Sequence, residues 1–111
     1  MTNHSPLSTQ VFQILLSLVD HDLHGYAIIQ DVAGRTDNEV RLTASTLYAA
    51  VKRLLDQGLI DEVRSRSRDD DPRRRYYRLT PAGRRAARDE ALRLERLAAM
   101  ARAKRLLPTT R

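Results

Sequence analysis

The stretch from Leu42 to Ile60 constrains the fold most, because it predicts one amphipathic helix with a defined start and end. Thr43 can act as the N-cap, since its hydroxyl can accept a free N–H of the first turn. Gly58 suits the left-handed conformation that commonly ends a helix. The apolar face of this helix can pack on a core, and it is formed by Leu47, Val51, Leu54 and Leu55.

The opposite face of this helix carries groups that suit an anionic partner. Ser45, Tyr48 and Lys52 are spaced by three and four residues, so they share one face, and Arg53 flanks it. Most amphipathic helices have a polar face that contacts water and nothing else. The hypothesis of nucleic-acid binding therefore needs support from the rest of the chain.

Charge is distributed unequally along the chain. Residues 1–62 contain 4 Lys and Arg against 8 Asp and Glu, a net −4, whereas residues 63–111 contain 16 against 6, a net +10. The two parts sum to the overall net charge of +6. This asymmetry predicts an anionic partner for the second part, with phosphate as the first candidate and an anionic membrane as the second.

Length and composition limit the class of protein. A chain of 111 residues predicts one domain with a small core. The absence of cysteine excludes a disulfide scaffold and a thiolate metal site. The first residues do not resemble a signal peptide, and no apolar run approaches the ~18 residues of a membrane span. We therefore expect a cytoplasmic location and no membrane partner.

Two shorter helices are predicted before the Leu42–Ile60 helix. The first has Ser8 or Thr9 near its cap, and its Phe12 is expected to anchor the core or a dimer contact. The second runs from about residue 24 to residue 33, where Gly34 is expected to stop it. Three helices with short connections, the third with an outward polar face, predict a helix-turn-helix.

A two-stranded hairpin is predicted after the third helix. Residues 59–66 alternate loosely, and residues 74–79 form a returning strand after a turn rich in Asp and Arg. Tyr76 and Tyr77 are neighbours in this strand, so one is expected to face the core and the other solvent. A hairpin directly after a helix-turn-helix predicts a winged helix, with the wing at about residues 59–79.

A long last helix follows the wing. Thr80 is its predicted cap and Pro81 its first residue, and Pro108 is expected to end it after about Leu107. One face is rich in alanine and longer than a small domain can cover, so we expect it to pair with the same helix of a second chain. The alternative is a helix folded back on its own domain. The predicted dimer contact comprises Phe12, Ala87, Ala91, Leu94, Leu97, Ala98 and Ala101.

Together these motifs resemble the PadR-type transcriptional regulators. The resemblance rests on His24-Gly25-Tyr26, Thr46-Leu47-Tyr48, Lys52-Arg53-Leu54, Gly58-Leu59-Ile60 and the block from Arg75 to Gly83. It covers residues from about 7 to 100. It implies a mainly α fold with a small β-hairpin: a winged-helix DNA-binding domain at 1–79, a C-terminal dimerisation helix at 80–107 as in the short subfamily, and a tail at 108–111.

The resemblance predicts a homodimer that binds double-stranded DNA sequence-specifically, acts as a repressor on an inverted repeat, and has no enzymatic activity and no cofactor. On the third helix we expect DNA contacts from Thr43, Ser45, Thr46, Tyr48, Ala49, Lys52 and Arg53. On the wing we expect them from Arg66, Arg68, Arg73, Arg74 and Arg75, because the wing arginines outnumber its aspartates.

Two departures from the family pattern affect specificity. The family often has Gly-Thr-Leu-Tyr-Pro where this chain has Ser45-Thr46-Leu47-Tyr48-Ala49, so a different base preference is expected. Some short members bind flat hydrophobic drugs between tryptophans, and this chain has no tryptophan. If the protein has a small apolar effector, it is expected to bind between the two last helices or in the cleft that they form with the first helix.

Other classes of function have weaker support. His21 and His24, with Asp20 and Asp22, have a spacing that a metal could use, but two imidazoles without a third firm ligand make a poor site. No pattern of nucleophile, base and acid supports catalysis. A membrane-surface protein and a protein-interaction module remain alternatives, although the last helix lacks the Trp and Phe that membrane-surface helices use.

Overall fold

The computed structural model describes residues 6–64 and 74–109. In chain order the elements of these residues are α1 (Thr9–Ser17), β1 (Leu23–His24), α2 (Gly25–Arg35), α3 (Ala44–Asp56), β2 (Ile60–Val63), β3 (Tyr76–Leu79) and α4 (Pro81–Ala103). The predicted order of three helices, a hairpin and a last helix is confirmed. The arrangement is a mostly helical winged helix with a small antiparallel sheet.

Side-chain caps begin each helix of the described part. Ser8, Thr43 and Thr80 accept hydrogen bonds from the backbone N–H three residues later, at 3.0–3.1 Å. At α2 the cap is His24, whose Nδ1 accepts the N–H of Ala27 at 3.1 Å. A cap of this type contributes about 1 kcal/mol to a helix. The caps predicted from local sequence are therefore confirmed. The imidazole cap of His24 was not predicted.

Residues with positive φ follow the ends of α2, α3 and α4. Gly58 has φ 71° after α3, as predicted. Gly34 lies inside α2, so the prediction that it stops the helix is wrong; the chain turns at Asp37 and Asn38, with φ 51° and 65°. Asp and Asn tolerate this conformation better than most residues.

The last helix also ends earlier than expected. It stops at Ala103 rather than near Leu107, so the assignment of its end to Pro108 is wrong. Arg105 has φ 65°, and the N–H of Leu106 donates to the carbonyl of Ala101 at 2.9 Å. This left-handed residue with a closing hydrogen bond ends the helix before the proline is reached.

The sheet contains a strand that the sequence did not predict. Its order is β1-β3-β2, with both pairings antiparallel, so the predicted hairpin of β2 and β3 is present and β3 is central. In the added strand, Leu23 pairs with Tyr77 and His24 pairs with Tyr76. The segment before α2, predicted to be a polar break, thus covers the outer edge of β3.

The position of β3 between two strands buries both of its tyrosines. Tyr76 is 9% exposed and Tyr77 3% exposed, so the prediction that one faces solvent is wrong. Tyr77 belongs to the core. The ring of Tyr76 meets the ring of His24 edge to face, with centroids 5.3 Å apart. The imidazole of His24 therefore packs against the buried Tyr76 ring.

The core lies between the three N-terminal helices, the sheet and the first turns of α4. On α3 the predicted apolar face is confirmed, with Leu47, Val51 and Leu54 buried and Leu55 partly buried. The fully buried side chains of the whole core are Ile14, Leu15, Ile28, Val32, Leu47, Leu54 and Ile60. Burial of this face holds α3 with its polar side outward.

Only the first part of α4 packs on this domain. Gly83, Ala86 and Ala87 are buried, whereas Leu94 and Leu97 are 40% and 46% exposed. Gly83 is required for the close packing, since a Cβ there would overlap the carbonyl group of Leu59 and lie 2.8 Å from Leu79 Cδ1. The rest of the helix extends with its apolar side chains largely uncovered.

Candidate nucleic-acid interface

The outward face of α3 presents five of the seven side chains of this helix that were predicted to contact DNA. Ser45, Tyr48, Ala49, Lys52 and Arg53 are all exposed, and the Tyr48 side chain is 49% exposed. This face combines a hydroxyl, a phenol, a methyl group and two cations. These groups suit hydrogen bonds to base edges and phosphates, and contact with the methyl group of thymine.

The two threonines of the predicted contact set are engaged in the start of α3. The Thr43 hydroxyl accepts the N–H of Thr46 and donates to the Thr46 hydroxyl at 2.9 Å. Thr43 is exposed, whereas Thr46 is half-buried. Their hydroxyl groups therefore hold the first turn of the helix and orient the residues that follow.

The Tyr48 side chain packs against Gly25 at the start of α2. A Cβ on Gly25 would lie 2.8 Å from Cζ of Tyr48 and 3.1 Å from Cδ2 of Leu47. The phenol ring can rest against the α2 backbone because Gly25 has no side chain. The sequence prediction did not include this support, although Gly25 lies in the motif His24-Gly25-Tyr26.

The base of the wing brings two predicted arginines to the same place. Arg74 and Arg75 are exposed, and Nη1 of Arg74 lies 2.9 Å from Nε2 of His24. A cleft of about 410 Å³ opens here. It is lined by His24, Gly25, Tyr26, Tyr48, Arg74, Arg75 and Tyr77. The predicted contacts Arg66, Arg68 and Arg73 lie outside the described residues.

A neighbouring arginine has a different role. Arg78, on β3, forms a forked ion pair with Asp22, with Nη2–Oδ2 at 2.8 Å and Nε–Oδ1 at 3.2 Å. Its hydrogen bond to the carboxylate raises the pKa of the Arg78 guanidinium. The pair joins β3 to the segment before β1, so the Arg78 guanidinium stabilises the fold. Arg74 and Arg75 instead line the cleft.

The residues predicted for a dimer contact fall into three groups by their burial. Ala87 is buried in the core of its own domain. Farther along α4, Ala91, Leu94 and Leu97 are exposed. The remaining members, Phe12, Ala98 and Ala101, are half-buried.

A groove of about 960 Å³ lies between the start of α1, the end of α3 and α4. Its lining includes Leu7, Val11 and Leu54 together with the charged side chains of Asp89, Glu90 and Arg93.

Residues 6–64 and 74–109 contain no helix long and apolar enough to cross a membrane. In the same residues no group of three His, Asp or Glu side chains is placed to hold a metal ion.

Comparison with known proteins agrees with this geometry. The family model described as the transcriptional regulator PadR-like family matches residues 14–89. A transcriptional regulator from Clostridium thermocellum superposes with a TM-score of 0.73 at 26% identity, covering 87% of this chain and 96% of that one. A PadR family transcription regulator from Clostridium difficile has the same TM-score at 25% identity, with 86% and 97% covered.

A third solved structure contains DNA. It is Bacillus subtilis PadR in complex with operator DNA, with a TM-score of 0.64 at 24% identity, covering 77% of this chain and 47% of that one. Among curated proteins, an uncharacterised protein of Lysinibacillus sphaericus is 35% identical over 70 residues. That alignment spans 63% of this chain and 63% of the relative's length.

Proposed function

The chain belongs to the PadR-like family of transcriptional regulators, and on that premise we propose that it binds double-stranded DNA sequence-specifically and represses transcription. The observation that carries the proposal is the α3 face, where Ser45, Tyr48 and Lys52 are exposed. Tyr48 of this face lines a cleft with Arg74 and Arg75 of the wing base. The operator-bound structure of Bacillus subtilis PadR adds support, because that protein has this fold and binds a duplex. A repressor of this kind acts in the cytoplasm.

In this proposal α3 is the recognition helix and enters the major groove. Ser45, Tyr48, Ala49 and Lys52 face base edges, and Arg53 binds a phosphate. The arginines of the wing lie along the backbone or in the adjacent minor groove. Base contacts provide sequence preference, whereas the arginines provide affinity that does not depend on sequence.

The regulator acts as a homodimer in this proposal. The exposed apolar side chains on the second part of α4 support it, since burying an apolar stripe of this length against a second chain lowers the free energy relative to leaving it in water. A two-fold dimer reads an inverted repeat, with half-sites separated by a helical turn of about 10 base pairs or a multiple of it. A small apolar effector would bind between the two α4 helices or in the cleft that they form with α1.

Selection from a random duplex pool tests the DNA-binding function. Purified protein is expected to enrich an inverted repeat, and its affinity for that duplex is expected to exceed its affinity for a shuffled duplex at every salt concentration. Both affinities should fall as salt rises, because phosphate binding releases counterions. Equal affinity for the two duplexes, or no binding at low salt, would contradict the proposal and favour a protein-interaction module.

A further inference from the structure

We propose that Gly25, the first residue of α2, is a positioning residue for sequence recognition. The space left by its missing side chain fixes the direction in which the phenol ring of Tyr48 points toward the bases. The inference rests on the proposed DNA-binding function and deepens it. It makes α2, which was outside the predicted DNA contacts, a determinant of which base pair α3 prefers.

The contact between the Tyr48 ring and the α2 backbone is the first argument. A Cβ on Gly25 would lie 2.8 Å from Cζ of Tyr48, at the far end of the side chain. Carbon atoms in contact prefer a separation of about 3.5–4.0 Å, so a Cβ at Gly25 would displace the ring by about 0.7 Å or more. The outer end of the phenol therefore rests where only glycine leaves room.

The backbone at Gly25 does not itself require glycine, which is the second argument. Among the described glycines only Gly58 has a positive φ, so Gly25 has a backbone that other residues can adopt. Gly34 belongs to the same helix, and nothing lies within 4 Å of a Cβ there. What the missing side chain at Gly25 provides is therefore space for α3, and in particular for Tyr48.

The rigidity of the surroundings is the third argument. Gly25 is buried, and the imidazole of His24 caps the helix that Gly25 begins. His24 also pairs with Tyr76 of the central strand, which ties the start of α2 to the sheet. Leu47, the residue before Tyr48, is fully buried in the core. Both the support under the ring and the helix that carries the ring are therefore held by the core.

These contacts leave the Tyr48 side chain available to DNA, because it is 49% exposed. Tyrosine has two side-chain torsions, so a ring that is blocked on one side loses little conformational freedom when it binds. A hydrogen bond weakens steeply when its donor and acceptor are misaligned. A displaced ring would therefore keep its chemistry and lose its match to one base pair.

Binding to a panel of duplexes tests the inference. In the duplex selected by the wild-type protein, each base pair is exchanged in turn in both half-sites. Discrimination at a base pair is the affinity for the selected duplex divided by the affinity for the exchanged duplex. The variants are Gly25→Ala, Tyr48→Ala, the double variant, and Gly34→Ala as the matched control. Melting by circular dichroism establishes that each variant is folded.

We expect the wild-type protein to discriminate about 10-fold or more at the base pair that Tyr48 reads. Gly25→Ala and Tyr48→Ala should each reduce discrimination at that base pair by about fivefold or more and leave the other base pairs unchanged. In the Tyr48→Ala background, Gly25→Ala should reduce it no further, because both changes act through one ring. Gly34→Ala should match the wild type at every base pair.

Several results would overturn the inference. If Gly25→Ala keeps full discrimination, or loses affinity equally for every duplex, Gly25 has only a structural role. An equal effect of Gly25→Ala with and without the Tyr48 ring, or full discrimination in Tyr48→Ala, would also exclude it. A wild-type protein that discriminates at no base pair would instead contradict the proposed function.

NMR of the wild-type protein keeps the inference testable if Gly25→Ala does not fold. A ring held on α2 should give a nuclear Overhauser effect between the Tyr48 ring protons and the Hα protons of Gly25. Couplings should show a single χ1 rotamer of Tyr48, and the same one with and without the selected duplex. A ring that averages over several rotamers in the free protein, or that changes rotamer on binding, would overturn the inference.

Discussion

Oε1 of Glu90 lies 3.1 Å from the backbone nitrogen of Leu7 and accepts its hydrogen, which joins α4 to the residues before α1 across 83 positions of sequence. The Glu90 side chain is 5% exposed, and Arg93 binds both carboxylate oxygens, at 3.0 Å and 2.5 Å. The hydrogen bond from Arg93 is the largest cause that lowers the pKa of the Glu90 carboxyl, and the one from Leu7 adds to it. A buried carboxylate is thereby kept ionised, with both oxygens hydrogen-bonded.

The first prediction concerns acid sensitivity at Glu90. Because its pKa is lower in the folded chain than in the unfolded chain, the ionised carboxylate stabilises the fold above about pH 4.5, the ordinary value. That stabilisation disappears as pH falls through the lowered pKa. Glu90→Gln should therefore be less stable than the wild type at pH 7, and the difference should shrink below pH 4.5. Urea unfolding at several pH values measures the difference in the free energy of unfolding between the two proteins. A difference that does not change with pH would contradict the prediction.

The second prediction compares two helical glycines. Gly83→Ala should destabilise the fold by about 1–3 kcal/mol or more, because its Cβ overlaps the Leu59 carbonyl group and backbone must move. Gly34→Ala is the matched control: nothing lies within 4 Å of a Cβ there, and alanine favours the helix by about 0.5–1 kcal/mol. Urea unfolding should show that Gly83→Ala lowers the free energy of unfolding and that Gly34→Ala raises it. Equal effects would mean that α4 does not pack on Leu59 as described.

The third prediction concerns the wing base. Arg74→Ala should weaken binding to operator and shuffled duplexes alike. It should also make the negative slope of log affinity against log salt less steep by about one unit. Arg88→Ala removes the same charge from an exposed position on α4 and should leave the slope unchanged. Fluorescence anisotropy at several salt concentrations provides both slopes. A loss restricted to the operator would instead assign Arg74 to base recognition.

The fourth prediction concerns the recognition helix. Tyr48→Ala should reduce the difference between operator and shuffled DNA by about 1–3 kcal/mol, the range for a good base contact. Tyr48→Phe keeps the ring against Gly25 and removes the hydroxyl, so it separates the role of the ring from that of the hydroxyl. Titration of both variants on both duplexes measures the difference. If Tyr48→Ala weakens both duplexes equally, Tyr48 contacts the backbone instead.

The fifth prediction concerns assembly. Leu94→Asp should produce monomers, since an interface between α4 helices would bury an unpaired carboxylate. Leu94→Met conserves volume and apolar character and should remain dimeric. Sedimentation at micromolar concentration distinguishes the two states. A wild-type protein that sediments as a monomer would rule out the proposed dimer.

Local sequence was sufficient to predict the elements that depend on neighbouring residues. The cap at Thr43, the left-handed Gly58 and the apolar spacing along α3 are short-range features, and each was confirmed. The hairpin was also predictable, because its strands flank one turn. The motif from Arg75 to Gly83 joins β3 to the capped start of α4, and with the Thr46-Leu47-Tyr48 motif it indicated the family.

The cleft at the base of the wing is formed by residues that lie far apart in the chain. His24 and Arg74 are separated by 50 positions, and the pairing of β1 with β3 brings them together. The same pairing buries Tyr76, which the alternation of a two-stranded wing had not predicted. Sequence by itself determined which residues are cationic, capping or apolar, because these are properties of single side chains and short spacings. The tertiary structure alone decided which of them share a surface, because strand pairing and core packing select among many partners with equivalent local patterns.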